Sequence, residues 1–204
     1  MADYLMCFDR VLSIFSLLFL FGCSPLSPLE KQISKGDYNK VESMIEDGAD
    51  IGAISPLRGS LLCVAARNEQ DRLITLLVDK GLDVNVRDNA GKTAMHCVSA
   101  AETVDLLVSL GGDPFSLSEN GISPLAEAVR FGRYDAARRL VDLGAEDIAW
   151  GAGNEFTALD YAIASCHLRT AELVLINGLA TAKIKHAEAC EEQLQSLLHQ
   201  YNLK

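Results

Sequence analysis

Apolar positions fall in two patterns along the chain. Residues 11–21, VLSIFSLLFLF, are apolar all round with no polar stripe, unlike a helix that buries only one face in a core. From residue 27 onward, apolar residues recur at helical spacing in short runs broken by polar loops. Residues 72–78, RLITLLV, and 137–143, ARRLVDL, each predict a Leu-rich helix that stops at a following glycine. Residues 123–129, SPLAEAV, predict the helix that precedes the second of these. Near the far end, Cys190, Leu194, Leu197, Leu198 and Tyr201 form one apolar stripe of a helix over 186–202. Its other face carries Glu188, Glu191, Glu192, Gln195 and Gln200.

The helical runs repeat. A hydroxyl residue opens each unit, at Ser27, Ser60, Thr93, Ser123 and Thr157, with spacings of 33, 33, 30 and 34. A glycine closes each unit, at Gly48, Gly81, Gly111, Gly144 and Gly178, with spacings of 33, 30, 33 and 34. Two landmarks keeping step five times point to a stack of equal structural units. Each landmark has a physical reason. A Ser or Thr side chain accepts the free N–H groups at a helix start. Pro28 and Pro124 follow at the first helical position, where a missing N–H costs nothing. Gly36 and Gly132 suit the tight turn between two helices. The short interval lies between Thr93 and Gly111, so the third unit lacks three residues in its inter-helix turn. Its first helix is expected to be short, and the stack to bend there.

These landmarks resemble the ankyrin repeat. The residues that carry the resemblance are Thr93-Ala-Met-His96, Ser123-Pro-Leu-Ala126, Thr157-Ala-Leu-Asp160 and Gly81-Leu-Asp-Val-Asn85, and it covers about residues 27–180. The histidine of the motif survives only as His96; Glu30, Cys63, Ala126 and Asp160 take its place elsewhere. The resemblance implies an all-α solenoid of about five helix-turn-helix units over residues 29–185. Terminal units must shield their outer faces. Glu30, Lys31, Gln32 and Lys35 would do so at the start, and residues 186–204 would form a C-terminal capping helix. A partner-binding helix is the alternative for the last segment.

The apolar run at 11–21 has a different meaning. Eleven helical residues rise about 16 Å, short of the roughly 30 Å hydrocarbon core. The length suits the hydrophobic region of a secretory signal, with Arg10 before it and Asp3 and Asp9 against it. Met1 or Met6 could be the start, and a buried N-terminal helix is the alternative reading. The run ends in Leu20-Phe21-Gly22-Cys23, which resembles the lipobox of bacterial lipoproteins, Phe21 being bulkier than usual there. That resemblance implies a signal peptide over residues 1–22, lipidation (as by palmitate) of Cys23, and a tether over 23–28. Ser24, in place of Asp, favours the periplasmic face of an outer membrane. Several acyl chains on one cysteine would anchor stably, each buried CH₂ contributing about 0.8 kcal/mol.

Composition narrows the function. With 49% apolar and 23% charged residues the chain folds, and aromatics at 6% fit helices better than sheet. The net charge of −10 argues against a nucleic-acid partner. Without the signal, Cys63, Cys97, Cys166 and Cys190 remain beside Cys23. An exported protein permits disulfides, yet no CxxC or Cys/His metal spacing appears. The four are read as small buried apolar residues. Equivalent sites in stacked units lie about 10 Å apart, and Cys63 and Cys97 are one position apart in the motif of neighbouring units, so they are expected to stay unbonded, and a bond between them would put the register in doubt. Cys166 and Cys190 are left open.

No P-loop, dinucleotide glycine set or HExxH motif is present. His96 has the motif's structural role, His167 lies at an inter-helix turn and is expected to be exposed, and His186 and His199 belong to the last helix region. Neither an enzyme nor a cofactor is expected. The ankyrin resemblance implies that the stack binds a protein through the loop tips and the ends of the first helices. The tip positions are Ile54, Arg87, Leu117 and Trp150, with Lys92 and Ile122 nearby, and the helix ends give Arg67, Asn68, Arg130 and Phe131. Trp, Phe and Arg are enriched in binding hot spots, and arginines on an acidic protein suit an acidic patch on the partner. Two partner classes are carried forward. One is a toxin effector, such as a phospholipase delivered into the periplasm by a type VI secretion system and neutralised by this immunity protein. The other is a periplasmic enzyme served by a scaffold or stress-linked companion.

Overall fold

Four of the five hydroxyl residues cap their helices as expected, whereas the Thr93 hydroxyl lies 3.2 Å from His96 Nδ1 and from Ser116 Oγ. The Ser27, Ser60, Ser123 and Thr157 side chains accept from the backbone N–H of Glu30, Cys63, Ala126 and Asp160 at 3.1–3.3 Å. A computed structural model of the chain describes residues 27–55, 58–146 and 157–179, together with His199. The signal segment, Cys23, Trp150, Cys190 and the helix expected over 186–202 lie outside the described residues.

Five helix pairs follow one another: α1 (Pro28–Lys35) with α2 (Tyr38–Glu46), α3 (Leu61–Arg67) with α4 (Asp71–Asp79), a 3₁₀ turn (Ala94–Cys97) with α5 (Ala101–Ser109), α6 (Pro124–Arg130) with α7 (Tyr134–Asp142), and α8 (Ala158–Ala164) with α9 (Leu168–Ile176). First helices pack on first helices, in the order α1, α3, the 3₁₀ turn, α6 and α8. Second helices α2 and α4 pack together, as do α5, α7 and α9. Between α4 and α5, the Thr103 hydroxyl donates to Asp71 at 2.8 Å. The fold is an all-α stack; the described strand structure is one two-residue ladder, β1 (Ile54–Ser55) antiparallel to β2 (Gly59–Ser60).

The Gly81-Leu-Asp83 segment has a clear cause, and Gly48-Ala-Asp50 and Gly111-Gly-Asp113 share its pattern. Gly81 takes φ +98° just past α4, a left-handed conformation that ends a helix and that other residues resist. Asp83 then folds the chain back, its carboxylate accepting the Asn85 N–H at 2.9 Å; Asp50 and Asp113 repeat the turn. Asn85 links units, donating to the Gly111 carbonyl and accepting from the Asp113 N–H, both at 2.9 Å. The core runs through the first helices and the inner faces of the second. Leu62, Ile74, Leu77, Leu107, Leu125 and Leu140 are fully buried, and each such side chain stabilises by about 1.5–3 kcal/mol.

Glu30 departs from expectation. It is buried, because its carboxylate turns back to accept the Ser27 N–H at 2.7 Å and closes the helix start; shielding falls to the exposed Lys31 and Lys35. The third unit is short as expected. Its first helix is a single 3₁₀ turn, after which Val98 and Ala100 are extended.

Candidate protein-binding surface

The third unit shapes the surface. Cys63 and Cys97 are joined by a disulfide, with Cα atoms 5.3 Å apart, contrary to the expectation of free thiols. The 10 Å spacing applies to equivalent positions, and the one-position offset of Cys97 from Cys63, already counted in that expectation, brings the two closer than it allowed. Cys97 also lies on a 3₁₀ turn, which advances about 120° per residue rather than 100° and so aims its side chain differently. Ser60 and Thr93 keep their 33-residue spacing, so the register stands and only the distance argument fails. Cys166 is a free thiol, but it is exposed in the turn between α8 and α9 where a buried residue was expected.

The shortened turn leaves carbonyls without helical partners. Arg133, at the start of α7, supplies them: its Nη1 donates to the His96 and Val98 carbonyls at 3.2 and 3.3 Å. Burial, and after it the nearby Arg67 charge, pull the Arg133 guanidinium below its ordinary range, with Glu127 opposing. Arg67, at the end of α3, points a guanidinium nitrogen at Cys63 Sγ (3.4 Å) and Cys97 Sγ (3.7 Å). Between these groups lies a cavity of about 440 Å³ with Arg58, the disulfide, His96 and Phe131 on its walls. Its carboxylates are engaged. Glu127, almost fully buried, pairs with Lys92, and Asp88 accepts the Ala90 and Lys92 N–H groups at 2.9 Å.

His96 fills its structural role. Its Nδ1 accepts the Thr93 N–H at 3.1 Å, which leaves Nε2 to donate to the Ile122 carbonyl of the next unit at 3.0 Å. Burial lowers its pKa below the ordinary 6.5. With both nitrogens bound and the ring buried, His96 ties its own unit to the next. His167, expected to be exposed, is half-buried: its ring packs over Gly132 and its Nδ1 bonds the Arg130 carbonyl at 3.1 Å.

The expected contact residues divide. Phe131 (48% exposed) and Leu117 (44%) present apolar surface. Arg130 and Arg133 both face the Phe131 ring, at 4.7 and 4.9 Å, and Arg130 also reaches Tyr161 at 5.1 Å. Arg87 is exposed, yet its Nη1 donates to the Gly91 and Leu117 carbonyls at 2.9 and 2.8 Å, so it ties adjacent loops together. Ile54 is half-buried in β1. Asn68 is exposed and caps α3 through the Val64 carbonyl. Lys92 is occupied by Glu127, and Ile122 is buried. Arg133 and the half-exposed Phe115 were not anticipated. Arg133 could have been found as the residue following the turn in the unit after the deletion; Phe115 is one more apolar residue on the loop tip that carries Leu117.

Two family models match the chain, ankyrin repeats (3 copies) over residues 98–186 and ankyrin repeats (many copies) over 62–110. Together they span more than half of it. The chain belongs to the ankyrin repeat family. It is similar to the inactive serine/threonine-protein kinase TEX14 of Bos taurus, 29% identical over 108 residues, covering 52% of this chain and 7% of that protein. It is also similar to neurogenic locus notch homolog protein 2 of Homo sapiens, 26% identical over 162 residues, 77% of this chain and 6% of that one. An ankyrin repeat and KH domain-containing protein, CBG24701 of Caenorhabditis briggsae, is 26% identical over 184 residues, 85% of this chain and 7% of that one. The chain thus spans less than a tenth of the length of these relatives. As a stack of ankyrin repeats it is a protein-interaction module, and the face described above carries its loop tips and first-helix ends.

Proposed function

We propose that this ankyrin protein is lipid-anchored at Cys23 on the periplasmic face of an outer membrane and binds another protein through its loop-tip face. The partner is an effector toxin delivered into the periplasm, such as a phospholipase from a type VI secretion system, and the chain is the immunity protein that neutralises it. Phe131, Leu117 and Phe115, apolar yet exposed on that face, carry the protein-binding part of the reading. The Leu20–Cys23 motif and the Cys63–Cys97 disulfide support export, since disulfides persist in oxidising compartments. The anchor would hold the inhibitor at the surface such a toxin attacks. No step of this function calls for catalysis by the chain.

Two measurements test the reading. Labelled palmitate is expected in the full chain and not in Cys23→Ala. Cells making the chain are expected to survive attack by a strain delivering a periplasmic phospholipase, and cells making Phe131→Ala to lose that protection at equal protein level. Label retained in Cys23→Ala rejects the anchor. Equal killing with and without the chain rejects the immunity role.

A further inference from the structure

The cavity of the third unit has a charge imbalance. Arg58, Arg67, Lys92 and Arg133 line it against two carboxylates, Asp88 and Glu127. Both carboxylates are already engaged, Glu127 by Lys92 and Asp88 by backbone N–H groups. Among the described residues, Arg58, Arg67 and Arg133 have no salt-bridge partner. Among the described residues, the Arg67 guanidinium donates to the disulfide sulfurs, weak acceptors that neutralise no charge. Arg133 spends one nitrogen on two carbonyls and keeps the rest of its fork. Arg133, half-buried, and Arg67, exposed, line the same cavity of a protein of net charge −10, a local arrangement that an anion would relieve.

We propose that this cavity receives a carboxylate side chain, Asp or Glu, presented by a loop of the protein partner, with Arg67 and Arg133 as its ligands. Guanidinium forks match a carboxylate in two parallel hydrogen bonds. The volume, about 440 Å³, accepts a side chain with room for its backbone. Phe131 at the rim offers apolar contact to the residue beside the acid. The overall negative charge repels extended polyanions such as a lipid headgroup surface, whereas a single carboxylate meets only the local excess of cations. The proposal rests on this face being the one that binds a protein. It adds the chemistry of recognition and an arginine, Arg133, outside the expected contact set.

The test uses the full chain in nonionic detergent and reads the arginine Nε–Hε resonances. Acetyl-Gly-Glu-Gly-amide is expected to shift the Arg67 and Arg133 signals saturably, while acetyl-Gly-Gln-Gly-amide moves neither. Arg67→Gln should weaken the Glu peptide by about tenfold, the scale of a lost charge-assisted contact. Arg133→Lys, which keeps the charge but loses the fork, should weaken it as well, with melting checked because Arg133 also caps two carbonyls. No saturable shift, an equal response to the Gln peptide, or undiminished binding by Arg67→Gln overturns the proposal. Saturation by inorganic phosphate without saturation by the Glu peptide overturns it in favour of a free anion. The wider reading fails separately: with a toxin partner in hand, full binding by Phe131→Ala rejects the face itself. Lost binding by Phe131→Ala together with full binding by Arg67→Gln rejects only the carboxylate.

Discussion

The third and fourth units begin with the same kind of residue and end differently. Thr93 and Ser123 each open a unit, and Gly111 and Gly144 each close one, but the third reaches its glycine three residues sooner. In the fourth unit α6 completes its turns and Gly132, at φ +66°, reverses the chain into α7. The third has a 3₁₀ turn and then an extended link in place of that reversal. The missing turn cannot satisfy the last carbonyls of its own helix, so a side chain from the fourth unit does so. It also cannot fill the space between its neighbours, and the cavity lies there, walled by all three units. A deletion within a stacked repeat thus moves hydrogen bonding from the shortened unit to the next one and turns packing surface into a binding-sized notch. Where the fourth unit holds its place by helix packing, the third adds a covalent tie to the second.

That tie sets the largest expected difference. Cys63 and Cys97 are 34 residues apart, and closing a loop of that size in the unfolded chain is worth about 3–4 kcal/mol in the chain-entropy account. Cys63→Ala with Cys97→Ala should lower the unfolding free energy by that much, read as a lower urea midpoint. Reductant should do the same to the parent and leave the double variant unchanged. Cys166→Ser, at an exposed thiol, should shift stability by less than about 0.5 kcal/mol. A parent indifferent to reductant would remove the covalent distinction between the two units.

Acid should separate the units next. The third holds His96 where the fourth holds Ala126. Protonating Nδ1 removes the acceptor of the Thr93 N–H. Burial, first among several influences, puts the folded pKa below the ordinary 6.5, so the unfolded chain binds the proton more readily. This contribution to stability is therefore fully present above pH 6.5 and is lost as the pH falls from there through the lowered folded value. Urea unfolding at a series of pH values should show stability dropping below about pH 6.5 in the parent. His96→Gln should start less stable and lose that part of the slope. An identical slope in both proteins would mean that other groups carry the acid sensitivity.

The period, the helix starts and the short third unit were legible in the sequence because each is local. A Ser at a helix start and a Gly at its end depend on a few neighbouring atoms. The site was legible only in part. Phe131 and Leu117 stand exposed on the expected face, because loop tips and helix ends project wherever the repeat is built. The disulfide was missed because the expectation treated the third unit's helix as regular, and a 3₁₀ turn changes where Cys97 points. Arg87 and Ile122 are partly or wholly engaged in holding neighbouring loops together, through contacts between units 26–30 residues apart that no single repeat reveals. Arg133 escaped for the same reason, since its partners belong to the previous unit.

The smallest effect concerns the reversal that the third unit lacks. The fourth unit makes it with Gly132, but the second uses Glu69 at φ +56° and the fifth Cys166 at φ +57°. A side chain in the left-handed region costs roughly 1–2 kcal/mol, because Cβ crowds the neighbouring carbonyl. Glycine avoids that cost but gives up about 0.5–1 kcal/mol by loosening the unfolded chain. Glu69 is exposed, and its side chain makes no hydrogen bond or salt bridge among the described residues. Glu69→Gly should therefore stabilise the protein by about 0.5–1 kcal/mol, the difference between the two terms. Thermal melting would register it as a rise of a few degrees, about 2–4 °C per kcal/mol for a chain of this size. Cys166→Gly should follow the same rule and also remove the free thiol. The reverse change, Gly132→Ala, must lose stability, since its Cβ would lie 2.5 Å from the His167 ring in addition to the strained φ. If Glu69→Gly destabilises while Gly132→Ala is tolerated, the turn is not governed by backbone conformation, and the third unit's loss of it needs another cause.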